Sequence, residues 1–272
     1  MKKIVLLCFT LISCVFSQKH GFQFYSGTLN FKPLVANTFE PRLGLIWHTN
    51  DNRLRLDIGN SVDLIQFQYQ STQRLLTFGA DFFTYTLLRG ESNFHFPVDA
   101  VDYLFGFNAN YRDTLNSGIL SVRLRLSHIS AHFVDGHYDN TSATWKEGLS
   151  PRVYSREFFD LTLSFEPNDV LRAYTGIIYV WHIDPTTLPR LISYLGYETH
   201  YEAMTATTLY AAYQFTFTAT RPRHEMQTGI KLGEWNGRGT QLFFAYHSGN
   251  SIHGEYYDRK DHYTGFGFNI HF

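Results

Sequence analysis

"ILSVRLRLSHISAHFV", residues 119–134, carries two chemically different faces in strict alternation. Leu120, Val122, Leu124 and Leu126 share one parity, while Ser121, Arg123, Arg125 and Ser127 share the other. A repeat of two is the side-chain period of a β-strand and not of a helix. The oily parity then continues through His128, Ser130 and His132 without a break in step. Two questions follow: what the leucine face touches, and why an imidazole and a hydroxyl extend it.

The first question is settled by how often the pattern recurs. In 53–64, "RLRLDIGNSVDL", Leu54, Leu56, Ile58, Val62 and Leu64 oppose Arg53, Arg55, Asp57 and Asp63. In 205–219, Leu209, Ala211, Tyr213, Phe215 and Phe217 oppose Thr208, Gln214 and Thr216. A soluble sandwich strand can alternate likewise, with its charges in bulk water and its apolar side on a shared core. Here roughly twelve such ribbons follow one another, near 42–49, 53–69, 74–89, 102–112, 119–134, 152–166, 170–183, 190–200, 205–219, 224–236, 240–248 and 262–272. Each is near the roughly 10 residues that a tilted membrane strand needs. No helical-period stretch is long enough to cover such a sheet.

Composition agrees. Aromatic residues make up 17% of the chain, with 25 Phe and 18 Tyr, yet hydrophobic residues reach only 44%. That balance suits strands with one lipid face and one wet face. The expected fold class is therefore all-β, a transmembrane antiparallel up-and-down β-barrel of about twelve strands over 42–272. Asn168-Asp169, Gly237-Arg238-Gly239 and the short segment 114–118 are expected as periplasmic turns, with 135–151 and 249–261 as long loops on the extracellular side. Residues 18–41 lack clean alternation and are expected to form an N-terminal extension or a plug.

The first residues read as a leader. Lys2 and Lys3 precede an apolar run from Ile4 to Phe16 that is too short to span a bilayer, so residues 1–17 are expected as a secretory signal peptide cut after Ser17. A lipoprotein reading with Cys14 as the lipidated residue competes with it, although Val15 and Phe16 carry the apolar run past that cysteine. Cys8 and Cys14 both lie in the leader, so cleavage after Ser17 leaves no thiol for a disulfide, a zinc site or a nucleophile. Removing Lys2 and Lys3 takes the net charge from −1 to −3, which argues against nucleic acid as a partner. The closing "YTGFGFNIHF" puts Phe266, Phe268, Ile270 and Phe272 on one parity. A terminal aromatic on an alternating strand resembles the signal read by the outer-membrane barrel assembly machinery, which is expected as a partner through Phe272. The expected location is the bacterial outer membrane.

The second question concerns chemistry. On the leucine parity, His128 and Ser130 lie on the outer wall near its extracellular rim. If 134 pairs with 152, residue 129 lies across from 157, and Glu157 neighbours both on the same face. A serine hydroxyl becomes a nucleophile when a base takes its proton, and imidazole has that basicity near neutral pH. A carboxylate fixes the tautomer and steadies the charge of the imidazole. The candidate catalytic set is His128 as base, Ser130 as nucleophile and Glu157 as orienting acid, acting on outer-membrane lipids.

Several stretches resemble the bacterial outer-membrane family called domain of unknown function 1207: "FKPLVANTFEPR" (31–42), "SHISAHFVDGHYD" (127–139), "SPRVYSREFFDLTLSF" (150–165), "LRAYTGIIYV" (171–180) and "GEYYDRKDHYTGFGF" (254–268). This resemblance implies a barrel and brings no activity with it. The outward His-x-Ser separately resembles two families of outer-membrane lipid hydrolases, phospholipase A and lipid A deacylase, which place the pair on the lipid side. It implies His128 as base and Ser130 as nucleophile, with Glu157 matched to the acid only through the assumed register. Ala131-His132 follows the serine where phospholipase A has Asn-Gly, so that family's oxyanion and calcium arrangements do not transfer, and calcium stays a candidate cofactor only.

Blander readings stand beside these. His128, Ser130 and His132 can equally hydrogen-bond headgroups where the hydrocarbon ends. His132, Asp135, His137 and Asp139 form a candidate metal cluster that can as well be solvated loop. Arg53, Arg55, Asp57, Arg123, Arg125, Arg156, Asp160, Arg172 and Lys231 have lumen parity, as a salt-bridged filling or as an ion-selective lining. His247-Ser248 is read as rim decoration, and Trp47, Tyr69, Tyr85, Tyr103, Tyr154 and Trp181 as interfacial girdles. The rival functions are a narrow or plugged small-solute channel and a structural or interaction barrel that meets a partner through its long loops.

Overall fold

A computed structural model describes residues 20–69, 73–218 and 221–272. The leader at 1–17 lies outside them. Fifteen strands follow in chain order among the described residues: β1 (His20–Phe24), β2 (Leu43–His48), β3 (Arg53–Tyr69), β4 (Arg74–Arg89), β5 (Val98–Leu115), β6 (Gly118–Phe133), β7 (Tyr138–Asp139), β8 (Thr144–Trp145), β9 (Ser155–Asn168), β10 (Leu171–Asp184), β11 (Leu191–Met204), β12 (Thr207–Phe217), β13 (Arg223–Gly233), β14 (Gly239–Asn250) and β15 (Lys260–His271). The short β7 and β8 pair only with each other, inside the long loop after β6.

Strands β2 to β6 and β9 to β15 form a closed antiparallel barrel of twelve strands. Closure is made by β15 on β2, with Phe268 across from Leu45. Each ribbon read from alternation corresponds to one barrel strand. A closed cylinder pairs every backbone N–H and C=O within the sheet, which is the condition for strands to cross hydrocarbon. The outward parity is apolar: Leu124, Leu126, Phe159, Leu161, Leu163, Ile177, Phe266 and Phe268 are all exposed. The inward parity of the same strands, with Ser121, Arg123, Arg125, Asp160, Thr162 and Ser164, is buried.

Two-residue turns join β5 to β6, β9 to β10 and β11 to β12, and all three lie at one end. The long connections 134–154 and 251–259 lie at the other. The first wall position is filled in two pieces. β1 pairs with the Ile65–Tyr69 part of β3 and β2 with its Leu54–Asp57 part. Between the two pieces, residues 25–42 leave the wall and run through the lumen. Asn30, Phe31, Leu34, Asn37 and Glu40 are buried there, against side chains that face inward from the strands.

Contacts of this inner segment are mostly charged or polar. Asn30 N donates to Asp63 Oδ2 at 2.7 Å, and Val35 N to Glu198 Oε1 at 2.7 Å. Glu40 accepts from Arg123 Nη1 at 3.0 Å and from Arg125 Nη2 at 2.8 Å, and Arg125 also lies 3.1 Å from Asp81. The Arg123 and Arg172 guanidinium groups stack on Phe31, at 4.3 and 4.8 Å from its ring centre. Tyr194 leans over Gly176 and Tyr174 over Gly196, where a Cβ would collide with the ring. Tyr194 also donates to Asp160 at 2.8 Å.

Toward the long-loop end the lumen turns apolar. Phe83, Tyr85, Leu104, Ile129, Tyr154, Phe158, Val180 and Ile252 pack together, with Phe39 of the inner segment against them. Tyr85 and Tyr154 are thus luminal and not girdle residues. Aromatic content alone does not tell inside from outside when one end of the lumen is itself a hydrophobic core. The loop 251–259 folds down over this cluster. His253 Nδ1 lies 2.9 Å from Asp102 Oδ2, and Gly254 N donates to Asp102 Oδ1 at 2.7 Å. Burial pushes the Glu255 carboxyl above its ordinary range, opposed by bonds from the Phe133 and Arg152 N–H groups. A cavity of about 660 Å³ remains at the short-turn end, lined by Lys32, Arg172, Lys231, Trp235 and His271 among others.

Candidate active site on the outer wall

β6 carries the candidate residues, and its alternation determines where they point. Ser127, Ile129 and Ala131 are buried inside, so His128, Ser130 and His132 must project from the outer wall. Strand β5 lies on one side and β9 on the other. His128 sits between Phe105 and Glu157, and Ser130 between Tyr103 and Ser155. The assumed register, with Glu157 across from 129, is off by a single residue, and the true pairing brings the carboxylate closer to the histidine.

His128 Nδ1 lies 2.9 Å from Glu157 Oε1. Both side chains are about a quarter exposed, at 26% and 28%, which leaves the pair reachable from outside the barrel. The Phe105 ring stands 4.9 Å from the imidazole and walls it on the β5 side. Ser130 shares the face two residues on, roughly 6.5–7 Å away at Cα by the rise of a strand. Among the described residues its hydroxyl makes no hydrogen bond to His128. Two members of the expected trio are joined and the third is adjacent but unbonded.

A further residue completes the carboxylate. His182 Nδ1 contacts the other oxygen of Glu157, Oε2. Counting parity along β10 from Ile177, Tyr179 and Trp181 puts His182 inside. A bulge between Val180 and His182 inserts Trp181 as an extra residue, however, so that Trp181 and His182 both face out. Bulges re-aim side chains in this way. No composition signal marks this one, and only the pairing reveals it. Trp181 then packs on Phe159, with ring centres 4.6 Å apart.

The other candidates are dispersed. His132 faces out, beside Tyr103 at 6.1 Å between ring centres. His137 is fully buried, stacked on Phe133 at 4.1 Å and 3.2 Å from the Tyr256 hydroxyl, and burial lowers its pKa. Asp139 is used in its own turn, accepting from Thr141 N and the Ser142 hydroxyl. Among the described residues no group of three His, Cys, Asp or Glu is placed to hold a metal. His247 is buried, not rim decoration: it stacks on Tyr263 at 5.1 Å, and its Nε2 lies 3.2 Å from Asn250 O. A calcium ion takes six to eight oxygen ligands. Glu157 has both oxygens engaged by imidazoles.

Comparisons with known proteins agree with the fold. The family model described as "Protein of unknown function (DUF1207)" matches residues 27–272. Outer membrane phospholipase A from Escherichia coli has a similar structure, at 15% identity and a TM-score of 0.53, covering 86% of this chain and 93% of that one. The β-domain of the Bordetella autotransporter BrkA aligns at 12% identity and a TM-score of 0.43, covering 84% and 97%. No curated protein matches the chain. The likeness to the Escherichia coli protein is one of fold.

Proposed function

The chain belongs to the DUF1207 family, and from that premise we propose that it is a serine-dependent lipid acyl-ester hydrolase working from the outer wall of an outer-membrane barrel. The observation that carries this reading is the 2.9 Å contact between His128 and Glu157 on the apolar face, two residues from a serine. Polar groups on a lipid-facing wall are costly without a purpose. An imidazole held there by a carboxylate, with a hydroxyl beside it, has the parts of an acyl-transfer site. The similar barrel from Escherichia coli is itself a phospholipase, which points the same way.

The chemistry divides the work among three side chains. With Nδ1–H donated to Glu157, His128 has Nε2 as its basic nitrogen. Nε2 takes the Ser130 proton as Oγ attacks the ester carbonyl carbon, and returns it to the departing alcohol oxygen as the C–O bond breaks. Water, deprotonated by the same nitrogen, then attacks the acyl carbon, and as the acyl–Oγ bond breaks Nε2 returns the proton to Ser130 Oγ and the fatty acid leaves. Glu157 stays ionised and stabilises the imidazolium that forms twice in the cycle. The serine–histidine bond needs to form only when the substrate is seated, since such bonds are often long or absent before it arrives.

The setting matches the substrate class. Phe105, Phe159 and Trp181 flank the polar residues and are exposed on the outer wall, where acyl chains would lie, while Leu124 and Leu126 continue the apolar row below. A channel would need an open path, and the lumen at the long-loop end is occupied by Phe39, Tyr85, Tyr154 and Ile252. Purified protein in phospholipid–detergent mixed micelles is expected to release free fatty acid in proportion to its concentration. A rate equal to protein-free micelles would overturn the proposal.

A further inference from the structure

The β10 bulge has no role in closing the barrel, yet it is tied down with care. Trp181 has no partner residue on β9 across the bulge, and its carbonyl oxygen accepts from Arg190 Nη1 at 2.7 Å. The same nitrogen reaches Val180 O at 3.3 Å, and Val180 N donates to Arg190 O at 2.8 Å. Arg190 thus occupies carbonyls on both residues that define the bulge. That geometry reverses the parity beyond it: Ile183 turns in to the apolar cluster, and His182, which a regular strand would send inside, faces out against Glu157.

Resting on the hydrolase reading, we infer that His182 is a positioning residue for Glu157, and that Arg190 holds the bulge that presents it. A carboxylate on an exposed wall can rotate about its last torsion and offer either oxygen to either neighbour. Glu157 gives Oε1 to His128 and Oε2 to His182, so each imidazole fixes the oxygen that the other uses. His182 is 63% exposed and stands on the far side of Glu157 from His128, across β9, so it acts through the acid and not on the ester. Trp181, packed on Phe159, keeps the bulge pressed to the wall.

Removing such a support displaces the acid slightly, and small displacements of a catalytic group can cost up to a hundredfold in rate. The test uses full-length protein in mixed micelles, with kcat and KM measured for the wild type, His182→Phe, His182→Asn and Arg190→Gln. The amide nitrogen of asparagine stands near the place of imidazole Nδ1 and can donate to Glu157, whereas phenylalanine keeps the ring and donates nothing. We expect His182→Phe to lower kcat by roughly 10- to 100-fold at unchanged KM, His182→Asn to recover most of it, and Arg190→Gln to fall between. All should keep the heat-modifiable mobility of a folded barrel. An active wild type with a His182→Phe variant of equal kcat overturns the positioning role and leaves the hydrolase standing. A His182→Phe loss that His182→Asn does not recover overturns it as well. Fatty-acid release absent from the wild type itself overturns the hydrolase reading, and this inference with it.

Discussion

Replacing Ser130 by alanine is expected to abolish fatty-acid release, a loss on the order of a thousandfold or more, and His128→Ala should match it. In the proposed mechanism the two act as a unit: without the hydroxyl there is no acyl acceptor, and without the imidazole the hydroxyl keeps its proton at neutral pH. Equal losses from the single variants, with no further loss in the double, are the signature of a shared step. Glu157→Gln should cost less than either, because it weakens the orientation and charge stabilisation of the imidazole while leaving nucleophile and base in place. Neither Ser130 nor His128 supports the lumen, since both project outward from β6. The folded, heat-modifiable form should therefore survive every one of these changes. Residual hydrolysis near the wild-type rate in Ser130→Ala, measured by fatty-acid release, would separate this serine from the chemistry.

Glu40→Ala should destabilise the barrel by about 3–5 kcal/mol, the typical cost of removing one partner from a buried ion network. Glu40 is 1% exposed and accepts from Arg123 at 3.0 Å and from Arg125 at 2.8 Å, two residues whose guanidinium groups are themselves buried. Truncation removes the carboxylate bonded to both cations and leaves Asp81, at 3.1 Å from Arg125, and the buried Asp160 as their remaining counter-charges. Glu40→Gln keeps an acceptor oxygen and should fall between the wild type and the alanine variant. The measurement is the temperature at which the heat-modifiable band converts on gels, with the denaturant midpoint as a second readout. An unchanged midpoint for Glu40→Ala would show that the inner segment adds nothing to the wall.

Period-two alternation makes the barrel legible because each strand separates its chemistry cleanly. In 119–134 every leucine falls on one parity and every arginine on the other, so the outward placement of His128 and Ser130 follows from counting. Counting fails wherever the backbone adds a residue. The bulge between Asp63 and Ile65 reverses the parity from Ile65 onward, and the bulge at Trp181 hides His182. It fails also where there is no period. Glu40 lies in a segment with no alternation, so nothing in the sequence marks it as the partner of Arg123 and Arg125. Tyr85 and Tyr154 are misplaced by the sequence for a third reason. Residue type predicts a girdle or a rim only if the lumen is polar throughout, and here its long-loop end is a packed apolar cluster.

Covalent capture tests most directly whether Ser130 is an activated nucleophile on the lipid side of the wall. Full-length protein in detergent should be treated with a long-chain alkyl fluorophosphonate, and the modified residue located by peptide mass spectrometry. We predict a single adduct on Ser130, absent from His128→Ala and slowed in Glu157→Gln. No adduct, or one at another hydroxyl with Ser130 unmodified, would contradict the assignment.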